Sequence, residues 1–433
     1  MTETLVSCAV LIASAFVSQS PRAQPETLIR LTVDATPAPR PALKYMLLPE
    51  IKEMTQGNPI PNYLKCILDE EATGTNEPLN RLGLKQVDRA ARMDKPDWQI
   101  LPKLKTDGVG LLLPDLQKMR QLASELNDRF RGEVALRRFD DANVTAKTMF
   151  ALARHMGEHP TLIGDLVAIA IATVAIGPFE EMLGQPGCPN YYWALTALPH
   201  PFVTLDRGLE GERVFVSAEL RDLDDTNPMT SAQLRKLIAH LDTIREIQRN
   251  EKKTGEWLAD RAKDEKNLTA ARARLREQGL RADRLALFSP YQVLLLEAKM
   301  DYEIQRDEEM KLVYLPTWEA VARLKDYPRP KEQPLFNSFL SALYKVRLAQ
   351  GRLEQRIALL RHVEAVRLHA ATHGGKAPAK LSDVTVPLPV DPFSGKAFRY
   401  EVIDGVAHIR GTPPEGQENV AVYNLHYEII IRK

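Results

Sequence analysis

The chain has 433 residues, 44% hydrophobic and 27% charged, enough for two or three domains with a well-buried core. Its 58 basic and 57 acidic residues leave a formal net charge of only +1, without the basic excess a nucleic-acid partner would select, so none is expected. Three cysteines exclude a disulfide framework.

Residues 5–17 form an unbroken run of apolar and small side chains, followed by polar residues 18–24. The run has the size of a signal-peptide hydrophobic region and falls short of the roughly 20 residues that span a bilayer. No Lys or Arg precedes it; Glu3 stands there instead. Residues 1–24 are read as a signal peptide cleaved after Ala23, which places the mature chain in the periplasm or outside the cell. The alternative is an N-terminal tail or a buried first helix. Residues 5–8 resemble a lipoprotein box ending in Cys8, but the apolar run continues past that cysteine. Cys66 and Cys188 remain after cleavage, either paired across a long loop or lying unpaired in the core.

Residues 27–34 alternate like a strand, and Pro37, Pro39 and Pro41 stiffen the segment after it, so 25–41 is read as a strand and linker. A helical domain is expected over 42–330. A short helix is predicted at 63–71. Residues 115–130 then place Leu116, Met119, Leu122, Ala123, Leu126 and Phe130 on one helical stripe. Residues 138–155 turn Phe139, Ala142, Ala146, Met149, Phe150 and Ala153 inward in the same way. Within them, residues 139–142 resemble the joint of a tetratricopeptide helix pair. No second copy follows at the period of about 34 residues, which leaves a single helical hairpin.

Residues 162–183 are apolar all round, which predicts a central buried helix. Asp165 at one end and Gly177-Pro178 at the other argue against a membrane span, so none is expected in the mature chain. After the Gly- and Pro-rich loop 184–189, Asn190 caps a helix carrying Tyr191, Tyr192 and Trp193. These rings either line a ligand pocket or fill a seam between helices. An amphipathic helix follows at 231–250. Residues 249–276 carry dense mixed charge, read as a solvated helical face or a partner-binding helix, and Gly279 ends it. Further helices are predicted at 291–311 and 317–324, and the Pro-rich segment 327–330 marks a domain boundary. Residues 336–373 read as one long helix, bent or split at Gly351 and stopped at Gly374-Gly375. Lys345, Arg347, Arg352 and Arg356 exclude a transmembrane role for it.

His155, Glu158 and His159 spell H-x-x-E-H, a metallopeptidase motif in which two imidazoles on one helical face hold zinc and the glutamate polarises a water. Pro160 and Gly157 weaken the helix there, and the third ligand could be any of several glutamates, Glu246 among them. The competing reading is a helix C-terminus at which both histidines complement the dipole. His369 and His373 also stand four apart, before the Gly374-Gly375 cap, where the same electrostatic reading applies.

Residues 374–381 and the stretch 391–400, with the turn Asp391-Pro392-Phe393-Ser394-Gly395, resemble the soluble part of type II secretion pseudopilins and pilin-like proteins. That resemblance implies a long helix packed on a small antiparallel sheet, with further strands at 406–410 and 425–431 and a hairpin turn at Asp404-Gly405. The family's N-terminal membrane half-helix and processing site are absent, so assembly into a pilus is not implied. With 189–195 and 361–367 included, the chain also resembles a group of uncharacterised, predicted-secreted bacterial proteins.

The expected fold is mainly α: a large helical N-terminal body of helical hairpins, then an α+β module over 331–433. The expected function is that of an exported, non-enzymatic protein working through protein contacts, with no cofactor. A zinc-dependent hydrolase using His155, His159 and Glu158 is the alternative.

Overall fold

In the computed structural model, which describes residues 25–73, 81–247, 253–328, 335–336, 340 and 342–433, the two ends of the chain meet. Strand β1 (Thr27–Val33) pairs in parallel with the last strand, β4 (Leu425–Ile431), placing Leu31 opposite Ile429 and Ile29 opposite Tyr427. Strands β2 (Arg399–Ile403) and β3 (Val406–Arg410) complete a sheet of order β1-β4-β3-β2, antiparallel except at the β1 edge. The strand read as part of an N-terminal linker is therefore an edge of the C-terminal sheet, and the sheet is mixed. The physical reason is burial: Leu31 and Val33 point to one face and need an apolar partner. Asp404 and Gly405, both at positive φ, make the β2–β3 hairpin turn anticipated for them.

Fifteen helices lie between β1 and β2 among the described residues. They begin with α1 (Ile60–Thr73), α2 (Arg81–Ala90), α3 (Leu101–Asp107), α4 (Pro114–Ala135), α5 (Phe139–Met156), α6 (Leu162–Leu183) and α7 (Tyr192–Thr196). Next come α8 (Asp206–Glu219), α9 (Ser231–Ile247), α10 (Thr254–Ala262), α11 (Glu265–Glu277) and α12 (Ala282–Leu285). The last are α13 (Pro290–Val313), α14 (Thr317–Lys325) and α15 (Leu343–Thr372). The six apolar residues anticipated in α4 are all buried. The charged stretch expected as one helix breaks between α10 and α11, where the Asp264 carboxylate accepts from the Lys266 N–H and starts a new helix.

Two main cores result. The larger joins α1, α2, α4 to α7, α15 and the sheet, so it runs from β1 to β4 across the segment near residue 330. The smaller belongs to α9 to α13 and the end of α8. Helix α6 is the axis of the first. It is long and apolar enough to cross a membrane, yet it packs against α4, α5, α8 and α15. Thr161 caps it, accepting from the Gly164 N–H at 3.1 Å. Cys66 and Cys188 are both buried and are not joined to each other by a disulfide, while residues 1–24, with Cys8 and the signal-like run, lie outside the described residues.

Helix α15 has 30 residues, about 45 Å at about 1.5 Å per residue, and runs unbroken through Gly351. A methyl placed on Gly351 would lie 2.6 Å from Thr317 Cγ2 and 2.7 Å from Phe393 Cε1. The glycine serves close packing rather than a bend. Gly351→Ala should therefore destabilise the chain by about 1–3 kcal/mol through overpacking, measured as a fall in the urea midpoint. An unchanged midpoint would contradict the tight crossing. The turn after α15 is held by Asp391, fully buried. Its carboxylate accepts from the Phe393 and Thr412 N–H groups at 3.0 and 2.6 Å and from Gln355 Nε2 at 3.0 Å. Gly395, at φ 65°, lets the turn lie against the Trp318 ring.

Candidate functional site

The H-x-x-E-H residues do not form a shared face. Helix α5 stops at Met156 with Gly157 as its cap, so His159 has left the helix. His155 Nδ1 lies 3.0 Å from the Tyr63 hydroxyl, whereas His159 Nδ1 lies 2.8 Å from the Thr161 hydroxyl and its ring meets Trp98 edge-on. Glu158 is exposed and faces Arg207 at 3.6 Å. Burial pushes both imidazoles down to about 4, which leaves them neutral packing groups at pH 7. The break follows from Pro160, which disfavours helical geometry at the residue before it. Glu246 lies on α9, with its side chain outside those described. At the end of α15 the rings of His369 and His373 stack 3.8 Å apart, and His373 Nδ1 turns back to the His369 carbonyl at 2.8 Å. That is helix-end geometry, completed by Gly374 and Gly375 at positive φ.

The aromatic cluster is a seam. Tyr191 and Tyr192 are fully buried; Tyr191 packs between Tyr45 and Phe179, and Tyr192 meets Trp193 edge-on and donates to the Pro387 carbonyl. Asn190, expected as the cap, lies one residue before the N-cap Tyr191, and its carboxamide accepts from the Tyr192 N–H at 3.0 Å. A cavity nevertheless begins one turn further on, at Leu195 and Leu198.

This cleft, about 730 Å³, opens where four segments meet: the chain leaving α7, the α13–α14 turn, one face of α15 and residues 389–392. Its walls are mostly apolar, from Leu198, Leu205, Leu209, Val313 and Ile357. Arg347, Gln350, Glu354 and Arg361 also line it, at steps of three, four and seven residues that put them on one side of α15. Three of them lock the floor. Gln350 donates to the Val203 carbonyl at 2.6 Å, Arg347 donates to the Leu315 carbonyl at 3.0 Å, and Glu354 accepts from the Thr317 hydroxyl at 2.8 Å. Glu354 also stands 3.6 Å from Arg347 and neutralises it, and burial pulls the Arg347 guanidinium below its ordinary pKa.

Arg361 differs from these. It lies over the Tyr192 ring at 5.8 Å, its Nε has no hydrogen-bond partner, and it has no ion pair among the described residues. At the mouth, Tyr314 is 68% exposed and Trp318 39%. An apolar volume with one uncompensated cation on its wall and two aromatic rings at its rim is suited to recognition. The sequence signal that marks it is the polar row Arg347, Gln350 and Glu354 on α15, continued two turns on by Arg361. The other walls come from segments far apart in the chain and carry no motif. No protein-family model, curated protein or solved structure matches this chain.

Proposed function

We propose that the chain is a non-enzymatic, extracytoplasmic binding protein that works through protein contacts, and that the cleft takes an apolar side chain of a partner segment with an acidic group beside it. The observation that carries this reading is Arg361, a half-buried guanidinium on an apolar wall with no anion to face. A carboxylate brought there forms a charge-assisted hydrogen bond in a partly desolvated site, while the apolar side chain fills the volume beneath Tyr314 and Trp318. The extracytoplasmic part of the proposal rests on the apolar run at 5–17.

Selection of a random peptide library against the purified chain tests it. Enriched peptides should combine an aliphatic or aromatic residue with a nearby Asp or Glu, and Arg361→Gln should bind them about tenfold more weakly or worse, a loss of about 1.4 kcal/mol. Because Arg361 makes no ion pair here, that variant should keep its urea midpoint. Enrichment without acidic residues, or affinity indifferent to Arg361→Gln, would overturn the reading.

A further inference from the structure

The metal-ligating chemistry that the sequence places at the end of α5 is assembled elsewhere, on the outer face of the sheet. Alternation along the strands sends Tyr427, Ile429, Ala407 and Ile409 into the core and His426, Glu428 and His408 to the opposite side. Antiparallel register sets His408 directly across from Glu428, with His426 two residues along the same strand. Nδ1 of His408 and Nε2 of His426 are 3.0 Å apart, the Glu428 Oε1 is 3.9 Å from the former, and the three ligand atoms lie within 4.8 Å of one another. We propose that His408, His426 and Glu428 bind a divalent first-row transition metal ion, with zinc as the representative.

Two features beyond proximity support this. First, the ligand spacing suits a metal: two nitrogens bound to one zinc at about 2.05 Å and a tetrahedral angle lie about 3.3 Å apart. A few tenths of an ångström and a small rotation of Glu428 bring all three onto one ion. Second, the outer contacts that orient metal ligands already exist. His426 Nδ1 stands 3.1 Å from a Glu26 carboxylate oxygen, which can only accept, so that nitrogen carries the proton and Nε2 offers its lone pair inward. Arg30 holds the other oxygen of Glu428 at 2.6 Å, fixing the carboxylate's orientation. His408 then donates from Nδ1 to His426; moving that proton to its own Nε2 frees the third lone pair. The side chains are 12%, 4% and 15% exposed for His408, His426 and Glu428, so the site is sheltered yet reachable.

Imidazole and carboxylate donors fit zinc and its neighbours rather than calcium or magnesium. Three protein ligands leave a position for water or an incoming group. Because Glu26 and Arg30 precede or belong to β1, the ion would also fasten the first strand to the last.

The test is calorimetric titration of Zn²⁺ into chelator-treated full-length chain, with Co²⁺ visible absorption as a second readout. One ion per chain is expected, together with cobalt ligand-field bands. Both should be lost in His408→Ala and in Glu428→Gln, and Glu26→Gln should weaken zinc about 10- to 100-fold. His155→Ala should leave uptake unchanged. Absence of saturable zinc and cobalt binding would overturn the proposal, as would binding unaffected by both His408→Ala and Glu428→Gln. Far-UV circular dichroism establishes that the variants are folded. Should His408→Ala fail to fold, Glu428→Gln, which keeps the side-chain shape, decides the matter alone.

Discussion

Arg367→Ala is expected to cost about 3–5 kcal/mol of stability, read as a lowered urea midpoint with little change in slope. Arg367 is fully buried on α15, and all five of its N–H donors are used. They reach Glu364 at 2.7 Å, the carbonyls of Asp34, Pro189 and Cys188 at 3.0, 3.1 and 2.6 Å, and the Thr36 hydroxyl at 3.0 Å. Glu364, equally buried, accepts from the Tyr191 N–H at 3.0 Å through its other oxygen. The Arg367–Glu364 pair thus ties the end of β1, the 184–190 loop and the start of α7 to α15. Truncation leaves a buried carboxylate without its cation and several carbonyls without donors, and each loss carries a desolvation penalty. Arg367→Lys should recover only part of the stability, because three rotating donors cannot replace a planar fork. The double variant Arg367→Met with Glu364→Leu should be less damaged than Arg367→Ala, since it leaves no unpaired buried charge. A loss below about 1 kcal/mol for Arg367→Ala would show that the pair is dispensable.

The same hub shows what was legible in the sequence. The two stretches 189–195 and 361–367, which carry the resemblance to predicted-secreted proteins, touch each other: Asn190 donates to the Glu364 carbonyl at 3.0 Å. They mark a structural joint. Helices were legible because their stripes are local, and the predicted bounds of the central helix, 162–183, are those of α6. The turn at Asp391 was legible from its residue types, although its bonds to Gln355 and Thr412 were not. Strand β1 was recognised as a strand, but its partner lies some 400 positions away, and no local pattern announces a parallel pairing of that separation. The sheet cluster was hidden for a related reason. His408, His426 and Glu428 become neighbours only when β3 and β4 are in register, whereas the H-x-x-E-H string is contiguous and conspicuous yet loses its geometry at Pro160.

Asp165→Asn should stabilise the chain at neutral pH and flatten its dependence on pH. Asp165 sits in the first turn of α6 with no exposed surface, and neither carboxyl oxygen has a hydrogen-bond partner. Gly208 of α8 presses on it so closely that a methyl there would lie 2.0 Å from Asp165 Oδ2. Burial, reinforced by the nearby charges of Asp206, Glu212 and Glu158, raises its pKa to about 9. In the unfolded chain the same group titrates near about 3.9. Between these values the folded state holds a proton that the unfolded state has released. The contribution of this group to stability is therefore greatest below the unfolded value and falls continuously as pH rises toward 9. At pH 7 the accumulated cost is on the order of 4 kcal/mol. An asparagine of the same shape carries none of it but buries unpartnered N–H groups, which offset about 1–3 kcal/mol. The expected outcome is a net gain of about 2 kcal/mol at pH 7, larger at pH 8.5 and absent at pH 4. Urea unfolding of both proteins across that range checks it: parallel stability curves for wild type and Asp165→Asn would mean that Asp165 is not held protonated in the fold.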